Sequence, residues 1–179
     1  MNENELSINL RKALVDGLVA RGITGVQVRQ GYQPQRQSTP LTPSLSFFKL
    51  MDYRYGYNRR ESRFDLDEQK MINVEKQVME TTFQITALVK RNTEDTEQMT
   101  APDLVNEAAM ILSSEASLEL FRAEKIGITR ITDVKNTFFL DDKDQNEPSP
   151  SFDVTFTYTK VRQTEVPFVV TTDYAIYRV

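Results

Sequence analysis

Leu45, Phe47, Met51, Tyr53, Tyr55 and Tyr57 all occupy odd positions within one short stretch of the chain. An apolar period of two marks one face of a β-strand, and this run is far longer than the average strand of about five or six residues. Lys49 interrupts it, so part of that face is expected to be exposed or edge-like. Charge then gathers through Arg59, Arg60, Glu61 and Arg63, and residues 65–68 are mostly acidic. A return strand is expected over residues 71–89. Its second half alternates through Phe83, Ile85, Ala87 and Val89, while Ile72, Val74 and Val78 use the opposite parity in its first half. A one-residue bulge near Glu80 to Thr82 would reconcile the two halves. The chain is thus organised around a long hairpin with a charged tip.

Around the hairpin, the period changes. Leu6, Leu10, Leu14 and Leu18 recur every four residues, with Ile8, Val15 and Val19 beside them, which predicts a helix over Glu3–Ala20. Arg21-Gly22 suits its end. A short strand follows at Val26–Arg29, then a proline-rich connector over 31–43 holding three of the seven prolines. Thr100-Ala101-Pro102-Asp103 is a helix start, with a hydroxyl cap, an early proline and an acid in the first turn. The packing of that helix continues through Leu104, Ala108, Ile111 and Leu112 to Leu118 and Phe121. A strand is expected at Ile128–Leu140, an acidic loop at 141–150, a strand at Phe152–Tyr158 and a candidate C-terminal strand at 168–179. At 179 residues the length fits one domain. The expected fold class is α+β: a single domain over 1–179, in the order α-β-β-β-α-β-β, with a mainly antiparallel sheet packed against helices.

Composition narrows the chemistry. The chain has no cysteine, histidine or tryptophan. That removes disulfides, thiolate nucleophiles, Ser-His-Asp catalysis and histidine or cysteine metal sites. The six glycines, at 17, 22, 25, 31, 56 and 127, never cluster into a phosphate loop. Glu115 and Glu119 share a helix face if that helix continues, as solvated surface residues commonly do. No enzyme, no cofactor and no metal are expected, and a structural or binding role leads. The net charge of −4 argues against a dedicated nucleic-acid binder. No apolar run reaches the roughly 20 residues needed to span a bilayer, and the acidic Met-Asn-Glu-Asn-Glu start is unlike a signal peptide, so a cytoplasmic, membrane-free protein is expected.

Two motifs were weighed for binding. Asp142, Asp144 and Asn146 match the first, third and fifth positions of an EF-hand loop and Asp153 the twelfth, but Glu147 stands where the turn needs glycine. A solvated loop is the better reading. The run Tyr53-Arg54-Tyr55-Gly56-Tyr57-Asn58-Arg59-Arg60 interleaves aromatics and cations. It reads as a protein interface, a plain strand with a polar tip, or a surface for single-stranded nucleic acid. Projection of a long hairpin favours protein contact, with Tyr53, Arg54, Tyr55, Tyr57, Arg59 and Arg60 as the candidate interface residues.

Three stretches then stand together: Gly31-Tyr32-Gln33-Pro34-Gln35-Arg36 ahead of the long strand pair, Lys125-Ile126-Gly127-Ile128-Thr129-Arg130-Ile131 after the second helix, and Ser151-Phe152-Asp153-Val154-Thr155-Phe156-Thr157-Tyr158 after the acidic loop. With that arrangement the chain resembles, over most of its length, the neck or tail terminator proteins of long-tailed bacteriophages. The resemblance implies a small α+β domain of which six copies form a ring on the last ring of the tail tube. Such a ring stops tail growth and presents a surface to the head connector or stopper protein. It also implies a virion component assembled in the host cytoplasm, with itself, the tube protein and the connector as partners and with DNA passing through without specific binding. In such a ring Asp65, Asp67, Glu68, Asp141, Asp142 and Asp144 are candidates for an acidic lumen that phosphates would pass. The alternatives are another head–tail completion or connector protein, and a nucleic-acid-binding module using the tyrosine–arginine strand.

Overall fold

The leucine stripe of the first segment forms helix α1 (Glu3–Ala20) in the computed structural model, which describes residues 3–31, 42–66, 70–90, 97–140 and 146–166. Leu6, Leu10, Ala13, Leu14 and Leu18 are buried, whereas Ile8 and Val19, expected beside them, face solvent. At 3.6 residues per turn Ile8 sits across the helix from Leu6 and Leu10. Beyond α1 the chain turns through Gly22, whose φ of 74° few other residues adopt, and Ile23 donates its N–H back to the Leu18 carbonyl at 2.9 Å.

Strand β1 (Gln27–Gln30) pairs in parallel with the start of β2 (Ser44–Asp65), and β3 (Lys70–Leu88) returns antiparallel to β2. Helix α2 (Ala101–Leu112) begins at the expected cap. The Thr100 hydroxyl accepts from the Asp103 N–H, and the Asp103 carboxylate accepts from the Thr100 N–H at 3.1 Å. Ser113-Ser114 interrupts the helix, and Ser114 caps a separate α3 (Glu115–Ala123), so the single second helix expected from the sequence is two. Strands β4 (Gly127–Ile131), β5 (Phe138–Leu140), β6 (Asn146–Pro148) and β7 (Ser151–Val166) complete the chain. The five-stranded sheet has the order β1-β2-β3-β7-β4, and β5 and β6 form a separate small hairpin.

The α+β class, the order α-β-β-β-α-β-β and the mainly antiparallel sheet are as expected. Three boundaries differ. The strand expected over Ile128–Leu140 is split, because regular pairing of β4 with β7 stops after Ile131 and Thr132 and Lys135 keep only single bonds to Asp153 and Ser151 at the start of β7. Residues 146–148 of the expected acidic loop are a strand, held by Phe138↔Pro148 pairing. β7 runs on to Val166, well past Tyr158. The candidate strand at 168–179 and residues 32–41 of the connector lie outside the described residues. No helix among them is long and apolar enough to cross a membrane.

Among the described residues all three helices pack on one face of the sheet. Leu45, Phe47, Phe83, Ile85, Ala87, Phe152, Val154 and Phe156 project from that face and are buried with the α1 and α2 stripes. Aromatic rings tie the layers together: Phe83 meets Phe47 and Phe156 edge-on, each at 6.1 Å, and Phe156 meets Phe121 of α3 at 5.1 Å. Such pairs add about 0.5–1.5 kcal/mol each beyond their burial. Gly17 allows α1 to lie close on α2, since a Cβ there would stand 2.2 Å from the Ile111 Cγ2.

The parity change expected to come from a bulge in the return strand arises elsewhere. β3 pairs with β7 without interruption, and the extra residue is in β2: Lys49 faces Phe83 and Met51 faces Thr82, leaving Leu50 unmatched. Because side chains alternate with a period of two, one inserted residue turns everything beyond it to the other side. Leu45 and Phe47 therefore point at the helices, while Met51, Tyr53 and Tyr55 point away. The single odd-numbered face read from the sequence is two half-faces on opposite sides of the sheet.

A projecting blade as candidate contact surface

Past the helices, β2, β3 and β7 continue together as a three-stranded blade. Along β3, from Thr82 opposite Met51 to Lys70 opposite Asp65, it extends roughly 40 Å, at about 3.3 Å per residue. Strand pairing persists to Asp65↔Lys70, so Arg59, Arg60, Glu61 and Arg63 belong to the strand itself and not to the hairpin tip as expected.

Cross-strand register fixes which side chains share a face. On the side away from the helices, Met51 lies opposite Thr82, Tyr53 opposite Glu80, and Tyr55 opposite Val78. Farther out on the same side come Arg59 with Lys76 and Val161, Glu61 with Val74 and Gln163, and Arg63 with Ile72 and Glu165. Met51, Tyr53 and Tyr55 are 60, 60 and 64% exposed, and Val161 is 45% exposed. This is an apolar and aromatic strip rimmed by charge, with no helix over it among the described residues. Arg54 and Arg60 occupy the other side with Lys160, Arg162 and Glu75. Tyr57 falls in the irregular stretch between Tyr55 and Arg59, where Gly56 takes a φ of 69°.

The six candidate interface residues are thus divided: Tyr53, Tyr55 and Arg59 share one side, Arg54 and Arg60 the other, and Tyr57 lies in the break. Of the lumen candidates, Asp65 lies opposite Lys70 at the end of the blade, on the side that carries Arg59 and Arg63. Asp67, Glu68, Asp141, Asp142 and Asp144 lie outside the described residues. Sequence reading missed Val161 and Glu165, because the parity of Phe152 to Tyr158 lapses at Lys160. The available signal was a β-branched, proline-free run from Thr159 to Val166 that stops at Pro167.

Carboxylates temper the cations of the blade. Arg60 Nε lies 3.2 Å from Glu75, while Glu61 receives both Lys76 Nζ at 3.0 Å and Arg59 at 2.7 Å. The hydrogen bond from the Lys76 ammonium, with Arg59 beside it, holds the Glu61 carboxyl below the usual carboxylate range. A second polar group marks the junction between blade and helices. Lys49 Nζ donates to Glu3 of α1 at 2.7 Å and to Asp52 at 3.0 Å, and the Thr81 hydroxyl donates to Asp52 at 2.7 Å, with the Tyr158 hydroxyl 3.4 Å from Thr81 Oγ1.

Elsewhere the surface is ordinary. Asp153, twelfth in the EF-hand comparison, instead accepts from Gln84 Nε2 at 3.1 Å on the sheet. Among the described residues no acidic cluster could hold a metal ion. Glu115 faces Arg122 along α3 at 3.1 Å.

No curated protein matches the chain. Among solved structures, the cryo-EM structure of an extracellular contractile injection system, described as the PVC sheath/tube terminator in its extended state, is 11% identical with a TM-score of 0.47. The match covers 96% of this chain, which spans only 63% of that one. Residues 5–168 match the family described as E217 gateway protein gp29. The chain belongs to that family.

Proposed function

We propose that six copies of this chain form a ring that caps the tail tube and joins it to the head connector, leaving a channel for DNA. Family membership agrees with the neck and tail-terminator resemblance seen in the sequence and supports a place at this junction. The single observation that carries the assembly reading is the blade. It projects beyond the helix-backed sheet with Met51, Tyr53 and Tyr55 largely exposed on one side. Exposed aromatic strips rimmed by charge are the usual anchors of protein contacts. The remaining partners are the tail tube protein below and the connector or stopper protein above.

The nucleic-acid reading of the tyrosine–arginine strand is disfavoured by pairing. Arg59, Arg60 and Lys76 each face Glu61 or Glu75, whereas phosphate-tracking surfaces carry cation rows free of carboxylates. Electron microscopy of the purified protein, alone and on tail tubes, tests the ring. A six-fold ring with an open centre is expected. A species that stays monomeric in both settings yet binds single-stranded DNA in a salt-dependent manner would replace this reading with the other.

A further inference from the structure

Among the described residues both edges of the blade are open. β1 covers β2 only from Ser44 to Phe47, and β4 covers β7 only from Gly127↔Thr157 to Ile131↔Val154. From Lys49 to Arg63 on one side and from Tyr158 to Val166 on the other, no described strand takes up the outward N–H and C=O groups. Proteins keep edge strands short, break them with proline or cover them, because an open edge is a template for pairing. Neither stretch contains a proline. The open edge of β2 is roughly three times the length of an average strand.

The two edges are unlike, and they lie on opposite sides of the same blade. β3 is antiparallel to both neighbours, so β2 and β7 run in the same direction, away from the helices. A contact between two different edges of identical subunits is heterologous; each new copy leaves the same edge open until rotation closes the ring. A strand from another protein would cover one edge and leave the other. A second copy of this chain covers both.

We propose that the outer edge of β7 in each copy pairs in parallel with the outer edge of β2 in the next, so that the blades close into one continuous barrel around the channel. This rests on the ring reading above. Three strands from each of six copies reach the barrel size, about 16–18 strands, at which side chains no longer fill the interior and a channel stays open. Charge restricts the register. Arg60 and Arg162 stand at the same level on either side of Glu75. Level pairing of β7 with the next β2 would bring arginine beside arginine, which is unfavourable. The strands therefore pair with a stagger, as barrel closure also requires.

The absence of cysteine makes the test direct. Cysteine is introduced at Val161 or Glu165 on β7, in combination with Arg59, Glu61 or Arg63 on β2, all five on one side of the blade. Within one copy β3 separates these strands by about 9.5 Å, whereas a disulfide needs Cα atoms within about 7 Å. Any crosslink therefore joins different copies. Oxidation of the assembled protein is expected to give, for one or two of the six pairs, a covalent ladder ending at six subunits, and to give none for single-cysteine variants. Rings seen by microscopy without a ladder for any pair would overturn edge pairing and leave the ring standing. Crosslinking of the single β2 variants would overturn it in favour of like edges meeting across a two-fold axis. If wild type and reduced variants form no ring, alone or on tubes, the ring reading fails and edge pairing falls with it.

Discussion

The same three strands behave as two materials along their length. In the helix-backed half of β3, Thr81, Phe83, Ile85 and Ala87 are all at most 1% exposed on the helix side. The outer half of that strand is mostly half-buried at best, and β2 is exposed at every position from Leu50 to Arg60. A fully buried Phe or Ile contributes about 1.5–3 kcal/mol, so nearly all the apolar stabilisation of the sheet is concentrated below Leu50. A narrow ribbon with little burial on either side is marginal in water. The blade holds its shape as a continuation of a rigid sheet, and its own side chains are left available for contact with other molecules.

The largest expected effect separates these two halves. Phe83→Ala removes the ring that links Phe47 and Phe156 and should cost about 3–5 kcal/mol in a urea melt. Tyr53→Ala and Tyr55→Ala should leave the monomer within about 0.5 kcal/mol of wild type while abolishing assembly on tail tubes. If the tyrosine variants destabilise the monomer as much as the core variant, the blade is part of the core and the distinction is lost.

Two glycines sharpen the contrast at smaller cost. Gly17→Ala gains about 1 kcal/mol of helix propensity but overpacks the α1–α2 contact, at about 1–3 kcal/mol. The clash should win, because the Ile111 Cβ itself lies 3.2 Å from the added methyl and rotation of the side chain cannot clear it. Gly56→Ala meets no atom within 4 Å, yet its φ of 69° costs a side chain about 1–2 kcal/mol. Global melting should report the first. Hydrogen exchange should report the second as faster exchange confined to residues 51–63, with core amides unchanged.

How much of this was legible in the sequence follows the same division. Where helices back the sheet, local pattern and tertiary burial agree: α1 has the bounds set by its leucine spacing, Thr100 caps α2, and Phe152 to Tyr158 alternates as expected. In the blade burial favours neither side, with Val74 buried on one and Met79 and Tyr158 on the other, so hydrophobicity no longer reports direction. The odd-numbered run from Leu45 to Tyr57 reads as one face because Met51, Tyr53 and Tyr55 resume the odd parity after Lys49, and apolar Leu50 at an even position is the only mark of the inserted residue. The far end of β7 is faint in the sequence for a related reason: Lys160, Arg162 and Glu165 suit an exposed strand as well as a loop, which leaves the β-branched residues among them as the signal until pairing with β3 decides. The tyrosines were recognised as a contact surface by type, but their side of the sheet required the register.

The smallest expected effect lies at the junction of the two halves. Partial burial pushes the Asp52 carboxyl up, but the Thr81 hydroxyl and the Lys49 ammonium together outweigh it and hold the group below its ordinary value. Lys49 is raised, chiefly by its bond to Glu3 and then by Asp52. A depressed carboxyl stabilises the fold above its unfolded pKa and loses that contribution as pH falls through the folded value, here below about pH 4. A raised lysine contributes fully below about pH 10 and loses its share only at more alkaline pH. Both groups are largely solvated, which limits the Asp52 contribution to about 0.2–1 kcal/mol. Asp52→Asn should therefore be slightly less stable than wild type across neutral pH, with the difference shrinking as pH falls below about 4. Salt should reduce the lysine-dependent part but spare the Thr81 bond. A difference that grows towards acid would mean that burial dominates at Asp52. The junction would then hold a destabilising carboxylate, and the bond from Lys49 to Glu3 would remain as its side-chain tie to α1.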